Sequence, residues 1–342
     1  MNARGSVLIF AVWAIGFLTV FTVVIGRIAA GELMFGNWVK NRVLLHALSN
    51  AGIERTELEF EADKFITFDA LNETWASNQD ALGNRPLGAG QFSVECRENE
   101  DSSDAGTSLR YGACDESARL NLNTASEENL KNLFKTADPE LSEDKVLELA
   151  EAVIDWRDKD DAAPTHGAET SYYKAQSNPY EPRNDNFAAV EELLMVKGMG
   201  RVLFDKIKPY ITVYTEGSVN FNTAGSVVLQ ALGLSPALAA KVIEYRRGPD
   251  NRTGTVDDRV FQDTGSITAG LSAAMSFSSE EYAQISNAVS QGIVTVKSST
   301  FRIHSIGRLT KDGKAKEKGM IESSVICVVN RKGDILYWQE GE

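Results

Sequence analysis

The sequence predicts an α+β protein. A long N-terminal helix and an antiparallel sheet form one frame, and an all-α domain of two related units is inserted into it. Three observations carry this expectation. Residues 6–26 form a 21-residue run without a charge. Leu120-Asn121-Leu122-Asn123-Thr124-Ala125 recurs as Val219-Asn220-Phe221-Asn222-Thr223-Ala224, at an offset of 99. Short segments with strand-like apolar patterning lie on both sides of that repeat.

The run at 6–26 is long enough for one bilayer span at 1.5 Å per residue. Arg4 precedes it and Arg27 follows it. The basic short end sets the cytoplasmic side, so the long acidic remainder is expected on the far side. A cleaved secretory signal peptide is the alternative, with small residues near Ala29-Ala30-Gly31, although its apolar region is usually shorter. Beyond the span, Leu33, Trp38, Leu44, Leu45, Leu48 and Leu58 continue an amphipathic pattern among Lys40, Arg42, Arg55 and Glu57. No proline occurs before Pro86. These features predict one helix over 6–62, of roughly 50 residues or more, lipid-embedded first and packed on a domain later.

This shape resembles type IV pilin-like proteins. The resemblance implies a short leader at 1–5, cut by the prepilin peptidase between Gly5 and Ser6. Most pilins carry Glu at the fifth mature position, where it meets the amine of a neighbouring subunit. Here that position is Phe10. A subunit without that Glu suits the end of a filament, because a buried Glu lacking its partner would be costly.

Composition limits the remaining functions. The 342 residues include 35 Lys+Arg and 48 Asp+Glu, for a net charge of −13. The 43% hydrophobic and 24% charged content is that of a globular chain. So acidic a chain is unsuited to broad binding of nucleic acid or anionic lipid.

The repeat predicts two helical units in succession, at 118–216 and 217–297. In each, an Asn-Thr-Ala turn precedes a helix (127–135; 227–232), with the Asn and Thr side chains expected to cap it. A second helix follows, with apolar residues three and four apart at Val146, Leu149 and Val153 and at Leu238, Val242 and Tyr245. Val153, Ile154 and Arg157 match Val242, Ile243 and Arg246 at an offset of 89. Unit one continues through residues 187–194 and Val196-Lys197-Gly198-Met199-Gly200 to a helix from Arg201 to about Lys208, before Pro209. Two glycines between helices make a helix-hairpin-helix pattern, whose amides can approach a phosphate. The alternative is a hairpin that only packs its helices. Glu191, Glu192 and Asp205 beside it favour the second.

Asn121-Leu122-Asn123-Thr124-Ala125, Asp155-Trp156-Arg157-Asp158-Lys159-Asp160-Asp161, Gly167-Ala168-Glu169, Tyr172-Tyr173 and the stretch 190–200 together resemble the general secretion pathway protein K family, the minor pseudopilin of the type II secretion system. The resemblance implies two sterile-alpha-motif-like units inserted into a pilin-like domain. It also implies a place at the tip of a periplasmic pseudopilus. Its implied partners are other minor pseudopilins of the I and J type, the prepilin peptidase, the inner-membrane secretion platform and secreted substrates. Its implied location is the bacterial inner membrane, single-pass, with the bulk of the chain in the periplasm.

The flanking strands are expected at 91–96 and 109–114, and at 299–309, 323–329 and 334–338. An acidic loop (98–106) separates the first pair, and a Lys-rich turn (311–319) separates two of the later strands. Pairing early with late strands makes one domain, 63–117 with 298–342, around the insert; consecutive independent domains are the alternative. Cys96 and Cys114 stand at strand ends, and an export compartment permits a disulfide between them. Two separate thiols are the alternative.

No catalytic constellation is present, so no enzymatic activity is expected. His46, His166 and His304 lie far apart in sequence, without zinc-ligand spacing. The acidic run Asp155, Asp158, Asp160, Asp161 has chemical content. Asp158, Asp160 and Asp161, with Glu169 swinging in, are candidate hard ligands for Ca²⁺, an expectation the family resemblance strengthens. Asp250-Asn251 and Asp257-Asp258 form an analogous stretch in unit two. A solvated acidic surface is the alternative. Two further readings compete with the pseudopilin: a membrane-anchored helix-hairpin-helix DNA-binding protein of competence type, and an exported enzyme for which no nucleophile–base pair can be named.

Overall fold

The computed structural model describes residues 3–63, 67–98, 108–162, 164–309 and 321–341. The acidic loop from residue 99 and the Lys-rich turn lie outside the described residues. The chain opens with α1 (Ala3–Asp63), 61 residues long, or about 90 Å at 1.5 Å per residue. It starts three residues ahead of the expected Ser6, since nothing in the leader breaks the helix, so Gly5 and Ser6 lie inside it. Apolar side chains from Val7 to Val43 are exposed. The helix holds an 18-residue window apolar enough to cross a membrane, with a mean hydropathy of 2.6.

After α1 come α2 (Gln79–Leu82), β1 (Arg85–Leu87), β2 (Gly90–Glu98), β3 (Ser108–Tyr111) and β4 (Cys114–Asp115). The insert follows as β5 (Leu120–Asn121), α3 (Glu127–Ala137), α4 (Glu143–Arg157), α5 (Thr170–Lys174), α6 (Arg201–Ile207) and β6 (Ile211–Thr212). It continues as β7 (Val219–Asn220), α7 (Ser226–Ala231), α8 (Pro236–Arg246), α9 (Ser266–Ala274), α10 (Ser279–Ser290) and β8 (Val294–Thr295). The chain returns as β9 (Thr300–Leu309), β10 (Ile321–Asn330) and β11 (Ile335–Gly341). Strand order β1-β2-β9-β10-β11, all antiparallel, places early and late strands in one sheet. This is the inserted arrangement and not two consecutive domains.

The expected second strand is split. Gly112 interrupts it, leaving β3 and β4, because its Cα lies against the Trp75 and Ala76 carbonyls and leaves no space for a Cβ. Val94, Ile303, Val325, Cys327 and Val329 line the sheet's inner face with Ile53 and Phe60 of α1. The Phe301 ring sits 4.5 Å from Phe60 and 4.8 Å from Trp75, centroid to centroid.

Helix and sheet touch closely at Gly52. A Cβ there would press into Ser305 Oγ and lie 3.1 Å from Val94 Cγ2. Both neighbours are buried, so Gly52→Val is expected to cost about 1–3 kcal/mol by overpacking. Denaturant unfolding of the two proteins checks this, and equal midpoints would contradict the close approach.

Cys96 and Cys114 are joined, with Cα atoms 5.3 Å apart and a sequence separation of 18. Closing such a loop stabilises by about 3 kcal/mol in the chain-entropy model. The C96S/C114S double variant is therefore expected to unfold at lower denaturant than the oxidised protein, and to match the reduced wild type. Cys327 is a buried free thiol in the sheet core.

The two helical units repeat at atomic detail. Each is closed by a parallel two-residue pair, β5 with β6 and β7 with β8. In each, the first Asn of the turn folds back on the backbone: Asn121 Oδ1 accepts from Asn123 N at 2.7 Å and Asn220 Oδ1 from Asn222 N at 2.9 Å. The next Asn clamps a distant Phe through both its amide atoms, Asn123 with Phe187 and Asn222 with Phe261. Arg157 donates to the Leu122 and Ala125 carbonyls, and Arg246 to those of Phe221 and Ala224. Contrary to the expectation from sequence, the Asn and Thr of the turn thus do not cap the helix, because their side chains are taken by the turn backbone, a distant Phe and the buried junction. Ser126 caps α3 in a capping box, and Gly225 precedes α7 without a side-chain cap.

A buried polar junction fastens the insert to the frame. Asp115 Oδ2 accepts from Thr223 Oγ1 at 2.5 Å, Ser298 Oγ at 2.6 Å and Asn220 Nδ2 at 3.2 Å. Glu116 is fully buried beside it and meets Arg302, Arg119 and Thr212. Burial opposes ionisation of Glu116, but Arg119 and Arg302 hold its carboxyl below the usual range.

Candidate metal centre

The acidic stretch after α4 is the cluster with chemical potential in the insert. α4 ends at Arg157 with Asp158 as its cap residue. Asp155 and Asp158 are three residues apart, so both carboxylates leave the same side of the last helical turn. The chain then loops back, and Gly167 lies directly on the Asp155 carboxylate, where a Cβ would collide with Oδ2. Ala168 N donates to that oxygen at 2.6 Å. This turn delivers Glu169, the residue before α5, into the space beside Asp155 and Asp158. Carboxylate oxygens of Asp155, Asp158 and Glu169 lie within 4.8 Å of one another.

Glu169 is 2% exposed, yet both its carboxylate oxygens lack a hydrogen-bond partner, as does Asp158 Oδ1. Burial pushes the Glu169 carboxyl up to about 7, and the charges of Asp155, Asp158, Asp161 and Asp160 add to this. Burial and the neighbouring carboxylates likewise raise Asp155 to about 6 against the Ala168 hydrogen bond, and raise Asp158. The unpartnered oxygens of Glu169 and Asp158 beside Asp155, with charges that repel, would suit a hard cation, and these residues fit Ca²⁺ as donors.

The structure brings together part of the expected ligand set. Asp158 and Glu169 are together, and Asp155 joins them. Asp160 and Asp161 are exposed and turned to backbone amides: Asp160 Oδ1 accepts from Ala162 N at 2.9 Å and Asp161 Oδ1 from Thr170 N at 3.3 Å. They follow the helix end, where successive residues no longer share a face. The helical spacing of Asp155 and Asp158 was the available signal. In unit two the analogous carboxylates are satisfied by their own loop. Asp257 accepts from Asp250 N and Thr255, Asp258 from Gly254 N and Thr255. At the offset of 89, Glu244 and Arg247 stand where unit one has Asp155 and Asp158.

The helix-hairpin-helix is packed rather than open. Its first helix is a short 3₁₀ segment, Val190–Met195. Gly198 has a φ of +79°, and the Lys145 side chain lies over it. Lys197 donates to the His166 and Gly167 carbonyls. Arg201, Lys206 and Lys208 pair with Asp205, Asp138 and Glu191. These pairings leave little basic surface for a phosphate backbone. At the other end of the chain, Phe10 is exposed on α1.

Comparison with known proteins agrees with this architecture. Residues 115–216 match the family model for type II secretion system protein K. The chain is 32% identical over 87 residues to the type II secretion system protein K of Aeromonas hydrophila, covering 25% of this chain and 26% of that protein. It is 29% identical over 146 residues to the one of Pectobacterium carotovorum, covering 40% and 41%. These matches span less than half the length of the relatives. A chain in the crystal structure of the GspK-GspI-GspJ complex of the enterotoxigenic Escherichia coli type 2 secretion system shares the fold. Its TM-score is 0.58 at 20% identity, over 92% of this chain and 98% of that one. Residues 115–216, with the acidic cluster inside them, are thus the part of the chain that matches the type II secretion system protein K family.

Proposed function

We propose that this chain is a minor pseudopilin of the type II secretion system, which caps the periplasmic pseudopilus and supports protein secretion across the outer membrane. The observation that carries this reading is the combination of an α1 whose apolar side chains are uncovered from Val7 to Val43 with a duplicated helical insert on the sheet above it. The uncovered helix needs both lipid and neighbouring helices. The insert adds bulk that a filament body would not accommodate but a filament end would. Phe10, in place of the usual Glu, leaves no buried charge that a further subunit must neutralise.

The anchor would hold the chain in the inner membrane with its bulk in the periplasm, after the prepilin peptidase cuts between Gly5 and Ser6. Partners would be minor pseudopilins of the I and J type, as in the complex of the structural relative, and the inner-membrane platform, with secreted proteins met at the tip. No catalytic role is proposed. Asp155, Asp158 and Glu169 would hold Ca²⁺, which supplies positive charge to three carboxylates that otherwise repel. In that state they tie the end of α4 to the start of α5.

Deleting the gene in its own host tests the reading. Secreted proteins should accumulate in the periplasm and return to the medium when the full chain is supplied. Unchanged secretion in the deletion strain would overturn it.

A further inference from the structure

The two edges of the sheet are built differently. β1, at one end of the strand order, has three residues and carries Arg85 and Pro86. A short edge with charge and proline blocks strand addition. β11, at the other end, has seven residues, Ile-Leu-Tyr-Trp-Gln-Glu-Gly, with neither Lys nor Pro. Among the described residues it pairs with β10 alone. Ile335, Leu336 and Trp338 are 56%, 44% and 40% exposed. An open edge of such composition is suited to pairing with another chain.

The surroundings of β11 indicate which chain. At its C-terminal end Glu340 meets His46 of α1 at 3.2 Å. The edge therefore runs into the part of α1 where Trp38, Val39 and Val43 are exposed. At its N-terminal end a cleft of about 540 Å³ is lined by Tyr214, Glu216, Lys297, Arg331, Lys332 and Leu336, among others. Arg331 is engaged by Asp63 and Asp69. Lys297 and Lys332 are exposed and outnumber Glu216, on a chain of net charge −13.

We propose that β11 is the docking edge for a second filament subunit, which lays an extended segment along it and sets a carboxylate between Lys297 and Lys332. The proposal rests on the pseudopilin reading. Continuity between the edge and the uncovered part of α1 selects a membrane-anchored subunit over a freely soluble cargo protein.

Photocrosslinking in secreting cells tests it, with p-benzoylphenylalanine replacing Leu336 or, separately, Val43 in the full chain. Both positions should give adducts, identified by mass spectrometry as a protein with its own N-terminal apolar helix. K297E/K332E should lower the Leu336 adduct about fivefold, the effect of two rim charges, and spare the Val43 adduct, which also reports folding and insertion. A Val43 adduct with none at Leu336, or a Leu336 adduct with a soluble secreted protein, overturns the docking edge and leaves the filament reading intact. No Val43 adduct overturns the filament reading and the proposal with it. A Leu336 adduct undiminished in K297E/K332E removes the carboxylate from the proposal.

Discussion

Replacing Asp115 with Ala is expected to destabilise the protein by about 3–5 kcal/mol, the cost of leaving several buried hydrogen-bond donors without their acceptor. Asp115 is fully buried. One of its oxygens serves Asn220, Thr223 and Ser298, and the other accepts from Ser117 N at 2.8 Å. Truncation would leave the hydroxyls of Thr223 and Ser298 buried without their acceptor, each costing about 1–3 kcal/mol if nothing replaces it. Thr223 and Asn220 belong to the second helical unit, Ser298 to the return of the chain into the sheet. The loss should therefore uncouple insert from frame, and proteolysis should cut first near residues 115–118 and 296–299. Thermal unfolding of D115A checks the magnitude. A shift under 1 kcal/mol would mean that the junction is not what holds the two parts together.

Ca²⁺ at millimolar concentration and pH 7.5 is expected to raise the melting temperature of the wild-type protein by about 5 °C. This corresponds to about 2.7 kcal/mol at a hundredfold excess over Kd. Glu169→Gln should abolish the response. Without the metal the sign of the pH dependence is set by Glu169 and Asp155, whose folded values lie near 7 and 6, above their ordinary ones. A carboxyl with a raised value favours the folded state when protonated. The metal-free protein should therefore gain stability as pH falls from about 8 to 5, and lose it as pH rises through about 7. Ca²⁺ should reverse that slope, because it binds the deprotonated carboxylates. E169Q should show a flatter metal-free profile than the wild type. Differential scanning fluorimetry across pH, with and without Ca²⁺, measures all three, and a wild-type melting temperature indifferent to Ca²⁺ at pH 7.5 would remove the metal from the account.

Much of the frame was legible in the sequence because its signals are local. A charge-free run announces α1, alternation announces β9 and β10, and the recurrence of Asn-Thr-Ala announces a duplicated unit. The arginine that ends each second helix also shows in the repeat, and its role of binding the turn carbonyls follows once both copies are seen together. What escaped depends on residues distant in sequence. The two-residue parallel pairs join segments 75 to 91 residues apart and leave no periodicity to detect. Asp115 and Glu116 read as two more acidic residues near a strand end, since the partners that make them a junction lie 96 to 186 residues away. α9 and α10 each bury only two side chains, Ile267 with Leu271 and Ile285 with Ala288, a short pattern to detect. At the acidic cluster, counting acidic residues along the chain favoured Asp160 and Asp161. The end of the helix decides otherwise, because only Asp155 and Asp158 share the face that Glu169 reaches.

The central claim is that this chain is processed and assembled as a pseudopilin, and the N-terminal sequence of the protein extracted from membranes tests it most directly. The account predicts a mature chain beginning at Ser6, with the whole uncharged run 6–26 retained as the filament-core helix. A chain beginning after Ala30, stripped of that helix, would mark an ordinary secretory signal and contradict the claim.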